Sequence, residues 1–197
     1  MIENILQQKN MRTGARVTVK TVLSVGLIAL AVLLPQLVHL AAGAEGGARW
    51  LPMYLPVLLA GCLIGPVWGL GVGVLSPLCS FALTSLWGEA MPAAARLPYM
   101  VAELAVFAAV SGAFSKKIAS DALAAFPAVL LAQVCGRLVF LALSALFAGI
   151  GPLTAASAWA QIEGGLVGLV LQAVLVPFLV IGVRALLRRD EIGRAHV

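Results

Sequence analysis

Long apolar stretches, separated by short polar breaks, constrain the fold of this chain more than any other feature. Of its 197 residues, 62% are hydrophobic and only 11% are charged, whereas a soluble domain carries about 25% charged residues. In the hydrocarbon interior of a bilayer the backbone must satisfy its own hydrogen bonds, and a helix does so within one segment. A helix needs about 20 predominantly apolar residues to cross. The sequence therefore predicts an all-α integral membrane protein.

The apolar stretches predict six transmembrane helices in a single domain that covers residues 1–191. The predicted helices are 17–34, 51–64, 66–86, 98–115, 123–149 and 161–187. Glycine, proline and small polar residues in the breaks favour turns. The second helix is short, and Gly65-Pro66 predicts a tight turn into the third. The last six residues, 192–197, resemble the translation of a sequencing adapter and are interpreted as a non-native tail.

Basic residues predict how the chain is oriented in the membrane. They precede the first predicted helix, follow the fourth and end the sixth: Lys9, Arg12, Arg16 and Lys20; Lys116 and Lys117; Arg184, Arg188 and Arg189. With six helices all three clusters fall on one side, and positively charged flanks mark the cytoplasmic side. The N- and C-termini are therefore predicted to be cytoplasmic. Because the basic residues flank apolar segments, the net charge of +5 does not indicate nucleic-acid binding.

Small residues recur at intervals of four along two of the predicted helical regions. One row consists of Gly61, Gly65, Gly69 and Gly73, and the other of Ala124, Ala128 and Ala132. Small residues at this spacing let two helix backbones approach closely in a membrane. Two interpretations stay open, since either the helices of this chain or a partner membrane protein can pack on such a face.

Two charged residues lie inside predicted helices, and they are the strongest candidates for a site. Glu103 lies in the fourth helix and Arg137 near the middle of the fifth. A charge at the centre of the bilayer costs at least about 2.5 kcal/mol, so both are expected to face the interior or a water-filled cavity. They predict either a structural ion pair or a ligand pocket, in which Arg137 favours an acidic group. Further candidate binding residues are polar side chains in the helices or near their outer ends: Tyr99, Gln133, Ser80, Thr84, Gln161, Glu163 and Gln172.

Sequence motifs of several enzyme and metal-binding classes are missing from the chain. It contains no GxxxxGK[ST] phosphate-binding loop, no HExxH or GxSxG motif and no Cys/His array,. Its three cysteines, Cys62, Cys79 and Cys135, are isolated in apolar runs and are expected to be buried free thiols. We predict no cofactor, no metal and no ATPase activity in this chain.

Five short motifs resemble the substrate-binding S component of energy-coupling-factor (ECF) vitamin transporters. In chain order they are Tyr54-Leu55-Pro56-Val57, Gly65-Pro66 followed by Gly69 and Gly73, Ser76-Pro77-Leu78, Met100-Val101-Ala102-Glu103-Leu104, and Ser111-Gly112. Tyr54 stands where members of this family typically have histidine. The motifs cover about 60 residues, and the six-helix layout extends the resemblance to the whole chain.

The resemblance implies a function and a set of partners. An S component binds a water-soluble vitamin or related micronutrient from outside, docks on a membrane coupling subunit driven by two cytosolic ATPase subunits, and releases the substrate inward. It implies a multi-pass protein of a prokaryotic plasma membrane, with the two rows of small residues as candidate docking faces. Two alternatives stay open: a stand-alone secondary transporter or channel, and a membrane-embedded enzyme that uses Glu103 as acid or base.

Overall fold

The computed structural model describes residues 1–2, 12–88, 90–148 and 153–195, all of its regular structure being helical. Lys9 of the first basic cluster and the last two residues of the predicted tail lie outside the described residues. The α-helices with described bounds are α1 Thr13–Trp50, α2 Tyr54–Ile64, α3 Pro66–Ser85, α4 Leu97–Ala113, α5 Ser115–Ser120, α6 Ala125–Leu146, α7 Ala155–Gly164 and α8 Leu166–Ala195. Single 3₁₀ turns, Ala94–Arg96 and Ala122–Ala124, lead into α4 and α6.

Six segments of the described chain are long and apolar enough to cross a membrane, which confirms the predicted all-helical, six-span layout. They are Thr13–Gly43, Glu45–Ile64, Pro66–Ser85, Ala94–Ala113, Ala122–Leu146 and Leu166–Leu187. The third, fourth and fifth lie within a few residues of their predicted positions. The bounds of the first, second and sixth spans differ more from the predicted bounds, and the causes of these differences also shape the site.

The predicted loop between the first two spans, residues 35–50, is wrong because this segment is helical. Helix α1 runs through Pro35 and changes direction at Gly43, whose φ of 67° and ψ of −171° lie outside helical values. Glycine tolerates a positive φ at no steric cost, so the chain turns there and the helix resumes. The resumed helix supplies the start of the second span, and the span therefore has 20 residues rather than the short stretch predicted.

The predicted loop 150–160 is also wrong at its end, where the short helix α7 forms. Thr154 accepts a hydrogen bond from the Ser157 backbone N–H, and the Ser157 side chain in turn bonds the Thr154 backbone, which makes a capping box. Such reciprocal caps satisfy the free N–H groups at a helix start. A break at Gly165 separates α7 from α8, so the last span begins at Leu166 instead of residue 161.

The glycine row folds α2 back on α3. A Cβ added to Gly69 would lie 2.9 Å from the Cα of Gly61, although eight residues of straight helix would separate them by about 12 Å. The chain reverses at Gly65, which has φ 91° and precedes Pro66 at the first position of α3. A Cβ on Gly73 would lie 2.6 Å from the Leu104 carbonyl oxygen, so the row also lets α4 pack closely.

Both rows of small residues are therefore buried within this chain, which corrects their assignment as docking faces. Gly61, Gly65, Gly69 and Gly73 are buried. In the second row Ala124 is 3% exposed, and Ala128 and Ala132 are fully buried. A partner protein has no access to them in this arrangement, because the chain's own helices already occupy the close approach that small residues allow.

Contacts between neighbouring helices define two ends of the bundle. At one end the Gly65 turn lies beside Ser115, and Arg184 donates a hydrogen bond of 2.7 Å to the Ser120 carbonyl. We call this the basic end, since Lys116 and Lys117 also lie in α5. The opposite end is formed by the far ends of α1, α3 and α6, the starts of α4 and α8, and helix α7. Helix α2, almost wholly buried, connects the two.

Candidate functional site

A cavity of about 650 Å³ opens at the end opposite the basic end. On one side the wall is formed by the last turns of α1, the Leu51–Met53 connection and the start of α2. On the other sides it is formed by the start of α4, the loop before it, and residues of α3, α6 and α7. Its volume lies within the range of about 300 to 1,000 Å³ that is usual for small-molecule sites. The cavity is therefore large enough to enclose a vitamin-sized ligand.

Three polar side chains from three helices meet at the inner wall of this cavity. The Tyr54 hydroxyl donates a hydrogen bond of 2.7 Å to Glu103 Oε2. Arg137 Nη1 lies 3.1 Å from Glu103 Oε1 as an ion pair. The guanidinium carbon of Arg137 also lies 5.2 Å from the centroid of the Tyr54 ring, which is a cation–π distance. Glu103 thus holds both neighbours, and we refer to the three as the Tyr54–Glu103–Arg137 cluster.

Local sequence features bring the cluster together. Tyr54 is the first residue of α2, and its ring packs edge-on against Phe107 with centroids 5.1 Å apart. Gly136 precedes Arg137 in α6, and a Cβ there would lie 3.2 Å from the Glu103 carbonyl oxygen. The absence of a side chain at Gly136 therefore lets α6 approach α4 closely enough for the ion pair.

The cluster is buried, and its hydrogen-bonding capacity is only partly used. Glu103 is fully buried and Arg137 is 8% exposed. Within the described residues, the Nε and Nη2 atoms of Arg137 have no hydrogen-bond partner. A buried donor without an acceptor costs roughly 1–3 kcal/mol, and more when it is charged. Among the cavity-lining side chains that the structure describes, Arg137 is the one whose buried donors lack a partner.

Charged side chains also line the outer part of the cavity. Glu45 and Arg49 come from the last turns of α1, and Arg96 from the turn before α4. All three are exposed. Among described side chains no group of three His, Cys, Asp or Glu residues is placed to hold a metal ion.

The structure brings four of the predicted binding residues to the cavity. Glu103, Arg137, Ser80 and Gln161 all line it. Ser80 also donates a hydrogen bond of 2.8 Å to the Met91 carbonyl and so fixes part of the rim. Gln161 belongs to α7 and not to a membrane span, as the altered helix boundary requires.

The other five predicted binding residues do not line the cavity. Tyr99 packs edge-on against Phe140, and Thr84 accepts a hydrogen bond from the Met91 backbone N–H. Glu163 is exposed and accepts a hydrogen bond from the Trp159 indole on the same helix.

The two glutamines tie helices together. Gln133 donates to the Leu169 carbonyl in α8 at 3.0 Å. Gln172 donates to the carbonyls of Trp50 and Leu51 at 3.2 and 2.8 Å. Gln172 thus bonds carbonyls at the end of α1, whereas Gln133 bonds a carbonyl in the first turns of α8. These contacts account for both polar residues without a ligand.

Sequence reasoning missed Tyr54 as a site residue, together with Glu45 and Arg49 of the charged rim. A tyrosine at the start of an apolar helix is common at membrane interfaces, so it gave no separate signal. Arg49 and Glu45 were assigned to a loop that is in fact helical. Their one available signal was their position beside Gly43 and Gly47, where the helix turns over the cavity.

Comparison with known proteins identifies no relative of this chain: no family model, curated protein or solved structure matches it.

Proposed function

We propose that this chain is the substrate-binding S component of an ECF-type importer, which takes a water-soluble vitamin or related micronutrient into its cavity. The observation that carries the proposal is the cavity of about 650 Å³ with the Tyr54–Glu103–Arg137 cluster in its wall. Charges this deep in a membrane bundle are rare, pair with one another or face a water-filled cavity, and often mark a substrate pathway. Tyr54 and Glu103 both belong to motifs that resemble this family.

The position of the cavity supports binding from outside the cell. It lies opposite the basic end, and basic flanks favour the cytoplasmic side. On this proposal both termini are cytoplasmic, the membrane is a prokaryotic plasma membrane, and the cavity faces outward. Its described lining residues all come from one end of the bundle, which favours a binding site over a channel that runs through the protein.

The proposed partners supply the ATP hydrolysis that drives uptake. The sequence has no phosphate-binding loop, so ATP hydrolysis would occur in two cytosolic ATPase subunits that act through a membrane coupling subunit. Since both rows of small residues are buried, docking would use the lipid-facing surface of the helices.

Reconstitution in vesicles tests this function. We expect a vitamin that stabilises the purified chain to enter vesicles only when the chain, a coupling module and ATP are all present. Ala160→Trp places a large side chain in the cavity wall and should abolish binding and uptake. Ala156→Trp changes an exposed residue one turn earlier on α7, outside the cavity wall, and should retain both.

Two other results would assign a different function. Uptake by the chain alone, driven by a proton or sodium gradient, would indicate a secondary transporter. Chemical conversion of the added compound that is lost in Glu103→Gln would indicate a membrane enzyme.

A further inference from the structure

The charged side chains that line the cavity do not balance. Three arginines, Arg49, Arg96 and Arg137, face two glutamates, Glu45 and Glu103, which leaves a formal charge of +1 in the described wall (three positive against two negative). Glu103 is already paired with Arg137. The excess positive charge lies among the exposed side chains of the rim, where it attracts an anionic ligand toward the cavity mouth and salt weakens the attraction.

Arg137 supplies a specific place for that negative charge. It is more than nine-tenths buried, it lines the cavity, and two of its three guanidinium nitrogens have no hydrogen-bond partner in the described residues. A guanidinium presents five N–H donors in a fixed fork that matches a carboxylate or phosphate. Glu103 contacts only Nη1. The Nε and Nη2 atoms are covered as well as unpartnered, so a ligand acceptor reaches them when the side chains over the guanidinium move aside.

The net charge distinguishes between these two anions. A carboxylate carries one negative charge, which matches the wall's excess of one, whereas a phosphate monoester carries about −1.5 to −2 near neutral pH. A single carboxylate therefore balances the charges of the described lining residues, and a phosphate monoester exceeds them.

The rest of the inner wall is apolar and adaptable. Met53, Met100 and Phe140 line the cavity beside the cluster, and Met91 lines it at the loop before α4. Thioether side chains are flexible and polarisable, and they pack against irregular or aromatic groups. This wall suits the uncharged body of a ligand whose charged end is held at Arg137.

We infer that the cavity selects a small organic monocarboxylate, with its carboxylate on the Arg137 guanidinium and its apolar body against Met53, Met100 and Phe140. This inference rests on the proposed function and narrows its substrate class. The same chemistry is available from a dissolved nutrient or from a fatty acid in the bilayer, and the test separates these two sources.

Matched pairs of acids and neutral analogues test the inference by their effect on thermal stability and affinity of the purified full chain. The pairs are pantothenate and pantothenol, biotin and biotinamide, nicotinate and nicotinamide, and decanoate and decanamide. Riboflavin and thiamine serve as a neutral and a cationic vitamin. We expect one dissolved acid to bind at least about tenfold more tightly than its neutral analogue, the scale of a hydrogen bond to a charged group.

Variants show whether Arg137 carries the preference. Arg137→Gln should reduce affinity for the acid about ten- to a hundredfold and leave the neutral analogue nearly unchanged. Because this change leaves Glu103 without its partner, the double variant Glu103→Gln/Arg137→Gln gives a second test with no unpaired charge, and it should also lose the preference. Arg184→Gln removes an arginine at the basic end, far from the cavity, and should keep it.

Each other outcome overturns a stated part of the proposal. A neutral analogue that binds as tightly as its acid, or binding of only riboflavin or thiamine, would overturn the carboxylate inference and leave the vitamin-binding function standing. Binding of only decanoate, with loss in Arg137→Gln, would support the anion site and overturn the vitamin function. If no compound binds, both fall.

Discussion

At the scale of single residues, removing the Tyr54 hydroxyl tests how much its hydrogen bond to Glu103 stabilises the protein. Tyr54→Phe removes the donor that lies 2.7 Å from Glu103 Oε2 and keeps the ring against Phe107 and Arg137. We expect it to lower the free energy of unfolding by about 1.5–3 kcal/mol, the usual value for a hydrogen bond to a charged group. Thermal or denaturant unfolding in detergent measures the change.

Tyr99→Phe is the matched control for this change. Tyr99 is also buried and packs edge-on against Phe140, but its hydroxyl makes no hydrogen bond to another described residue. Its loss should cost much less than that of Tyr54. Equal losses in the two variants would show that the Tyr54–Glu103 hydrogen bond contributes little.

Glu103 and Arg137 should behave as a unit in a double-mutant cycle. Each single change to glutamine leaves the other charge buried without its partner, which typically costs about 3–5 kcal/mol. The double variant removes both charges, so we expect it to melt above the less stable single variant. Melting temperatures of the four ligand-free proteins test this. Losses that simply add in the double variant would mean that the 3.1 Å contact does not couple the two residues.

The sequence allowed Glu103 and Arg137 to be selected because a charge in an apolar span is costly wherever it lies. The structure places the two side chains in contact. Gln133 and Gln172 carried the same signal but bond backbone carbonyls instead. An isolated polar residue in a span therefore indicates that a partner exists, but the sequence does not distinguish a ligand from a backbone carbonyl of a neighbouring helix.

At the scale of helices, two glycines of α3 test the close packing of α3 on α4. Gly73→Ala would place a Cβ 2.6 Å from the Leu104 carbonyl oxygen, and backbone cannot move aside as a side chain can. We expect a loss of about 1–3 kcal/mol, the usual cost of overpacking. The melting temperature and the yield of folded protein measure it.

Gly71→Ala, two residues earlier, is the control. No atom lies within 4 Å of its added Cβ, and alanine is favoured over glycine in a helix by about 1 kcal/mol. This variant should be as stable as the parent or more so. If Gly73→Ala were equally well tolerated, α3 and α4 would have to pack less closely than the structure shows.

The sequence predicted helix boundaries well where a glycine ends a helix, and poorly where the helix resumes directly after the glycine. Gly65-Pro66 stops one helix and starts the next, as predicted, because Gly65 takes a positive φ and Pro66 suits the first helical position,. Gly43 also has a positive φ, but the helix resumes directly after it. Composition indicated a loop for the glycine-rich stretch 43–47, whereas the helix continues after Gly43 and its residues Glu45 and Gly47 line the cavity.

At the scale of the whole molecule, the number of spans follows from the sequence and the cavity does not. Span length depends on consecutive apolar residues, which the sequence displays directly. The cavity wall combines Tyr54, Arg96 and Arg137, which are far apart in the chain. Their meeting depends on the turn at Gly43, the reversal at Gly65 and the close approach at Gly136, and such packing has no linear signature.

The orientation of the bundle is the remaining large-scale prediction, and the two ends carry different markers. Trp50, Trp87 and Trp159 are exposed by 40%, 78% and 53% and lie at the cavity end, where they suit a membrane–water interface. The basic end carries Lys116 and Lys117 in α5 and Arg184 in α8. Basic flanks favour the cytoplasmic side, so the cavity end is predicted to face outward.

Cysteine labelling in intact cells tests this orientation. In a background where Cys62, Cys79 and Cys135 are replaced by alanine, Ala94→Cys should react with a membrane-impermeant maleimide, because Ala94 is exposed near the cavity. Lys117→Cys, exposed at the basic end, should react only after the cells are permeabilised, and this second reaction confirms that the thiol is accessible. The reverse pattern, with position 117 labelled in intact cells and position 94 protected, would turn the cavity toward the cytoplasm. A cavity that faces inward at rest does not capture a nutrient from outside, so that result would contradict the proposed import function as well as the orientation.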